Sequence, residues 1–102
     1  MTSEALKADP NRLIKIIASL SSTRELLSPE VTKADALEIR LDLITEPIDD
    51  ALHSLRSSFQ GPMVLTVRSS NEGGAYAGGS AGLWKKLEPY IGLVDIIDLE
   101  IR

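Results

Sequence analysis

Ala36 to Leu43 reads ALEIRLDL, and the alternation within it decides the fold. Side chains on a strand point to opposite faces in turn, so Leu37, Ile39, Leu41 and Leu43 form one apolar face while Glu38, Arg40 and Asp42 line the other. Three further stretches are of strand length and rich in Ile, Val and Leu: LIKIIASL (13–20), PMVLTVRS (62–69) and VDIIDLEI (94–101). About 15 residues or more separate neighbouring stretches, far more than a hairpin needs and enough for a helical crossover between parallel strands. The pattern is therefore βαβαβαβ, an α/β fold. Spacing alone leaves open whether the sheet closes into a barrel or stays open between two layers of helices.

The connections carry helix signals of different strength. In the second, Pro47 suits a first turn, Asp49 and Asp50 suit the positive end of a helix dipole, and Ile48, Leu52, Leu55 and Phe59 form one stripe that Gly61 and Pro62 end. In the third, Ser80 is the expected N-cap, Leu83, Leu87 and Ile91 share a face, and Gly92 closes the helix, with Pro89 kinking or shortening its last turn. The first, STRELLSPEVTKA, has a helix start at Ser28-Pro29-Glu30 where a helix should already be running, so one short helix or two single turns are expected.

The other strands repeat the two-faced pattern of ALEIRLDL: Met63, Leu65 and Val67 oppose Val64, Thr66 and Arg68, and Ile97, Leu99 and Ile101 oppose Ile96, Asp98 and Glu100. An antiparallel sheet would simply have a wet face, but helical crossovers normally bury both faces of parallel strands. An unpaired ion in an interior costs several kcal/mol, so charges collected on one side require mutual pairing, a solvent-filled mouth or a polar ligand. The carboxyl ends of barrel strands form such a mouth.

Composition bounds the function. The 102 residues, 43% hydrophobic and 25% charged, make one domain, with residues 1–12 as a polar tail. A chain of this size buries only about 60 to 65% of its unfolded surface, so modest stability is expected. A net charge of −4 without a basic cluster argues against nucleic-acid binding. The absence of cysteine removes thiolate nucleophiles and Cys-based zinc sites and fits a reducing compartment, the cytoplasm by default. The polar start lacks the apolar core of a signal peptide, and no stretch approaches 20 apolar residues, so neither export by that route nor a membrane span is expected.

Several residues invite chemistry. Glu38, Arg40 and Asp42 point the same way, where a glutamate accepts hydroxyl protons and an arginine offers a planar fork to a polyhydroxylated substrate; a structural ion-pair ladder uses the same pattern. Arg68 ends its strand where ligand sites form in α/β folds, or is a surface arginine just past it. Glu72 before Gly73-Gly74 is either a functional acid on a loop of close backbone approach or a solvated turn residue. The run GGAYAGGSAG (73–82) lacks the GK[ST] and G-x-G-x-x-G fingerprints and reads as a loop over the strand ends, in preference to a phosphate cradle. The single histidine, His53, falls off the apolar stripe of its helix, towards solvent. Lys15 reads as a charge at a strand's entry end, and Lys85 and Lys86 as a wet helix face. With one histidine and no cysteine, neither a nucleophilic triad nor a transition-metal site is credible, and no EF-hand spacing is present.

Taken together and in this order, KIIASL, ALEIRLDL, LTVRSSNEGG and GLVDIIDLEI closely resemble the N-terminal half of the type I 3-dehydroquinate dehydratases of the shikimate pathway. The combination of E-x-R-x-D with T-x-R-x-x-x-E-G-G carries the resemblance, which runs from about residue 13 to the end of the chain, and the compact first crossover looks like the short archaeal-type members. The resemblance implies a (β/α)8 barrel, of which this chain covers about the first four β/α units. It implies dehydration of 3-dehydroquinate to 3-dehydroshikimate, with neither metal nor cofactor. A lysine forms an imine with the substrate ketone, and a histidine shuttles protons for enamine formation, loss of water and imine hydrolysis.

By the same resemblance, Ser19, Glu38 and Arg40 fall at substrate-binding positions and Arg68 contacts substrate oxygens. Glu72 matches a glutamate that orients or tunes the catalytic histidine, Asp42 a supporting aspartate, and Asp98 and Glu100 the fourth strand's acidic pattern. The imine-forming lysine and the catalytic histidine belong to later strands, expected after Arg102, so no catalytic residue of that kind is expected here and the isolated 102 residues are expected to be inactive. The expected partners are the small-molecule substrate and, at most, a second copy in a homodimer, with neither nucleic acid nor a membrane. Two other readings use the same residues: a non-catalytic half-barrel that pairs with another chain, or a different Schiff-base lyase or aldolase acting on another hydroxylated substrate.

Overall fold

A computed structural model of the chain describes residues 15–70, 74–77 and 79–100. Four parallel strands, β1 (Ile17–Leu20), β2 (Ala36–Arg40), β3 (Met63–Arg68) and β4 (Ile96–Glu100), pair in the order β1-β2-β3-β4. Strand order follows the chain without reversal, so the sheet has no switch point of the open doubly wound kind. The connections run through α1 (Thr23–Leu26) and a 3-10 turn (Pro29–Lys33), then α2 (Asp49–Ser58), then α3 (Gly79–Leu87) continued by a 3-10 segment (Glu88–Leu93). Each strand is a little shorter than its apolar stretch.

Register sorts the strands' side chains into two faces. Ala18, Leu37 and Met63 align, as do Leu20, Ile39, Leu65 and Ile97, and these rows pack with Leu26, Leu52, Leu55 and Leu87 of the helical layer. Burying a side chain of this kind stabilises by about 1.5–3 kcal/mol, so this face carries most of the folding energy. On the opposite face Ser19, Glu38, Val64 and Ile96 form one row and Arg40, Thr66 and Asp98 the next, with Arg68 beyond.

The alternation fails at Leu43, which is 41% exposed. β2 ends at Arg40, the Leu41 amide donates to Thr66 O and the Leu43 amide to Arg40 O, and this turn buries Leu41 and Asp42 together and pushes Leu43 outwards. Leu99, on the edge strand β4, is likewise exposed. In α2 the expected stripe is buried in full, but the cap is Ile48, whose carbonyl accepts the Leu52 amide, and Pro47 lies one residue outside. Burial of Ile48 fixes the entry of the helix, which has no side-chain cap bond and relies on Asp49 and Asp50 in its first turn. α3 starts at Gly79, so Ser80 lies inside it, and the α-helix stops at Leu87, two residues ahead of Pro89. Proline lacks the amide that would bond back to Lys85, and it is accommodated at the start of the 3-10 segment, which also contains Ile91 and Gly92. The first crossover is two single turns: Ser22 accepts from the Glu25 amide at 3.2 Å and Ser28 from the Glu30 amide at 3.4 Å.

At the entry ends of the strands two aspartates make the same pair of bonds. Asp35, just before β2, donates its amide to Ile16 O at 2.8 Å and accepts the Ile16 amide on Oδ2 at 2.6 Å. Asp95, just before β4, donates to Met63 O at 2.9 Å and accepts the Met63 amide on Oδ2 at 2.9 Å. Arg56 reinforces the second clamp, reaching Asp95, Leu93 O, Phe59 O and Gly61 O. Gly61 has to be glycine, because a Cβ there would stand 2.6 Å from the Phe59 ring and 2.9 Å from Asp35 O.

Candidate functional site

The polar face of the sheet gathers at its centre and carboxyl ends. Glu38, in the middle of β2, accepts the Ser19 hydroxyl of β1 on Oε1 at 2.8 Å and the Thr66 hydroxyl of β3 on Oε2 at 2.8 Å. Three adjacent strands thus converge on one carboxylate. Ser19 is exposed, Glu38 half-buried and Thr66 0% exposed, so the solvent-facing and interior sides of the cluster differ. Each carboxylate oxygen has more than one acceptor direction, which leaves Glu38 capacity for further hydroxyl donors.

One layer further along β2, Arg40 and Asp42 form a two-point ion pair, Nε to Oδ1 at 3.1 Å and Nη2 to Oδ2 at 2.8 Å. The side chains are 15% and 0% exposed, and the Asp42 carboxylate also accepts the Ala75 amide at 3.2 Å. Burial pushes the Asp42 carboxyl up, but the Arg40 bonds, the Ala75 amide and the Arg40 charge together outweigh it and hold the group below its ordinary range. The ion-pair reading of this strand therefore holds for Arg40 with Asp42, while Glu38 is held by hydroxyls from its neighbours. Asp42 does more than support Arg40, since it ties β2 to the loop after β3.

The described part of that loop, 74–77, is tied to the end of β3 by backbone bonds. Its Gly74 amide donates to Ser69 O at 2.9 Å, the Tyr76 amide to Arg68 O at 3.0 Å, and the Ser70 amide to Tyr76 O at 3.0 Å. Gly74 lies so close to the Arg68 backbone that a Cβ would collide with the Arg68 carbonyl group and Cβ. Arg68 itself is half-buried at the end of β3, in register with Glu100. Glu72 falls outside the described residues, as does Gly73. Asp98 is half-buried in the row of Arg40 and Thr66.

The structure brings Ser19, Glu38, Arg40 and Arg68 onto one face of three neighbouring strands. It keeps the other candidates apart: His53 is exposed on α2 with Nδ1 2.9 Å from Asp49 O, Lys15 is exposed at the opposite end of β1, and Lys85 is exposed on α3. Thr66 was not singled out from the sequence, although its place between Val64 and Arg68 puts it on the polar face. No group of three or more His, Asp or Glu side chains able to hold a metal ion occurs among the described residues. No helix among them is long and apolar enough to cross a membrane.

A parallel sheet wound in chain order, helices on one face and an acid–guanidinium–hydroxyl cluster towards the carboxyl ends of the other, is the construction of a β/α-barrel protein. Residues 12–102 match the family described as Type I 3-dehydroquinase, and the chain belongs to that family, whose fold is a (β/α)8 barrel of which these four strands are part. It is 97% identical over all its 102 residues to a 3-dehydroquinate dehydratase of Methanospirillum hungatei JF-1, covering 40% of that protein. A 3-dehydroquinate dehydratase of Methanoregula boonei is 36% identical over 88 residues, 85% of this chain and 42% of the relative. One of Methanothrix thermoacetophila is 34% identical over 88 residues, 84% and 38%. The chain thus spans about 40% of the length of these relatives.

Proposed function

We propose that this chain contributes the substrate-binding part of a 3-dehydroquinate dehydratase, a hydro-lyase that converts 3-dehydroquinate to 3-dehydroshikimate through a lysine Schiff base. The observation that carries the proposal is the cluster on Glu38, where hydroxyls of β1 and β3 meet a carboxylate of β2, with Arg40 and Arg68 further along the same face, in a chain of this family. Ser19, Glu38 and Arg40 hold the substrate's hydroxyls, and Arg68 binds its oxygens from the end of β3. Glu72 orients the catalytic histidine. That histidine and the imine-forming lysine come from strands beyond the four described. The lysine amine adds to the substrate ketone and water leaves, giving an iminium that draws electrons from the adjacent carbon as its proton departs to the histidine. The enamine then expels the hydroxyl, protonated as water, and hydrolysis of the imine frees the product and the lysine. No cofactor takes part, the enzyme works in the cytoplasm without nucleic acid or membrane, and its protein partner is at most a second copy in a homodimer.

The test is reductive trapping. Full-length protein incubated with 3-dehydroquinate and borohydride gains a reduced imine adduct on one lysine, the mass of substrate or product less water plus two hydrogens; absence of both adducts overturns the proposal. A second reading, a half-barrel that functions by pairing, is favoured by Ile17 and Ile96, 66% and 53% exposed on the two edge strands. A discrete dimer of these 102 residues in sedimentation, without borohydride trapping by the full-length protein, would favour that reading.

A further inference from the structure

Ser19 and Thr66 make bonds of equal length to Glu38, 2.8 Å each, from opposite sides and in opposite surroundings. Ser19 is exposed on the edge strand β1, so water or a ligand hydroxyl can take its place on Oε1. Thr66 is 0% exposed on an interior strand, between Arg40 and Asp98 in register, where no solvent can replace its hydroxyl. Its β-branched side chain is stiff about χ1. The hydroxyl has one proton to give, and it is given to Oε2. One oxygen of Glu38 is therefore anchored by a dry, rigid donor while the other meets an exchangeable one.

We propose that Thr66 is the positioning residue of this site: it fixes the Glu38 carboxylate so that Oε1 and the free acceptor directions face the substrate, with Ser19 as the partner that ligand displaces. The proposal rests on the reading of Glu38 as a substrate-binding residue. Thr66 acts through Glu38 and touches no reacting atom, which separates its expected kinetics from those of a catalytic group. A Glu38 free to turn spends its time in unproductive rotamers, so binding weakens more than turnover.

The test uses the full-length protein with Thr66→Val, Thr66→Ala, Thr66→Ser, Glu38→Gln and the double variant Thr66→Val/Glu38→Gln. Expected is a KM for 3-dehydroquinate raised about tenfold or more in Thr66→Val and Thr66→Ala, with kcat changed far less, and recovery of most of that loss in Thr66→Ser, which keeps the hydroxyl. The double variant should match Glu38→Gln within about a factor of two, because residues acting as one unit do not add. An unchanged KM in both Thr66→Val and Thr66→Ala, or losses that multiply in the double variant, overturns the proposal. A crystal structure of Thr66→Val decides the matter independently of activity: Glu38 displaced from the Ser19-facing rotamer supports the proposal, and Glu38 unmoved defeats it. Absence of dehydratase activity in the parent protein defeats the functional reading instead, and leaves the crystallographic outcome to judge Thr66.

Discussion

Carboxylates stand at both ends of this sheet and are used in opposite ways. At the entry end, Asp35 and Asp95 close on the backbone amides of Ile16 and Met63, and the bonds would be the same whatever side chains those residues carried. From the middle of β2 to the exit end, Glu38 and Asp42 close on the side chains of Ser19, Thr66 and Arg40, and the Ala75 amide joins them. Backbone bonds pin strand to strand; side-chain bonds set the direction of groups whose remaining capacity faces outwards. The first end holds the fold and the second shapes a site, the division expected between the two faces of a β/α barrel.

The comparison breaks most sharply at Asp42. Replacing it by alanine leaves the Arg40 guanidinium, 15% exposed, without its two-point partner and frees the Ala75 amide. Removing one member of a buried pair costs about 3–5 kcal/mol, so Asp42→Ala in the full-length protein should lower the unfolding free energy by about that amount and weaken substrate binding as well. Denaturant unfolding and KM together check it; a loss below about 1 kcal/mol would mean that the Arg40–Asp42 pair contributes little to stability. Gly74→Ala comes next. The loop cannot keep its place against Arg68 with a Cβ, and loss of the Gly74 and Tyr76 amide bonds corresponds to about 2 kcal/mol at roughly 1 kcal/mol each. Hydrogen exchange of the Tyr76 amide reports it directly, by a rise of an order of magnitude or more.

Asp35→Ala tests the other end. It removes the acceptor of the Ile16 amide and should cost about 1–2 kcal/mol of stability while leaving KM for 3-dehydroquinate unchanged. A change in KM comparable to that of Asp42→Ala would erase the distinction between the two ends.

How much of this division was legible beforehand differs between the ends for a physical reason. Period-2 alternation marks a face, so Glu38, Arg40 and Arg68 were legible as one polar set, and the apolar rows of Leu37, Ile39, Leu65 and Val67 were legible as core. Thr66 shares the period of Val64 and Arg68, but alternation carries no information on which hydroxyl reaches which carboxylate across strands. Asp35 and Asp95 were invisible to pattern reading, because they precede the strands and bond to backbone, and any backbone offers an amide. Leu43 was misread because alternation assumes a strand that continues, whereas the chain turns after Arg40. The stop of α3 before Pro89 was legible because the missing amide is a property of the residue itself.

The smallest expected effect is in acid, and it reads the carboxylates of both ends at once. Asp95 titrates below its ordinary range, held there by the Met63 amide first and Arg56 next, and Asp42 also lies below its own. Glu46, in the loop after β2, accepts the hydroxyl of Thr23 at 2.7 Å and its amide at 3.2 Å, and these bonds bring its pKa down from 4.5 to about 2. A carboxyl whose folded pKa is depressed contributes its stability in full above the unfolded value, and loses it as pH falls through the folded one. The melting temperature should therefore be level with respect to these groups above about pH 5 and decline from there towards pH 2. Glu46→Gln should flatten part of the decline between 4.5 and about 2 while leaving the plateau nearly level with the parent, because the amide oxygen still accepts the Thr23 bonds and no longer titrates. Asp95→Asn should flatten a further part and, unlike Glu46→Gln, lower the plateau, because the amide keeps an acceptor for Met63 but surrenders the charge that Arg56 faces. If Glu46→Gln lowered the plateau more than Asp95→Asn, the loop bond to Thr23 would outrank the strand clamp, and the entry end would no longer be the one that holds the fold.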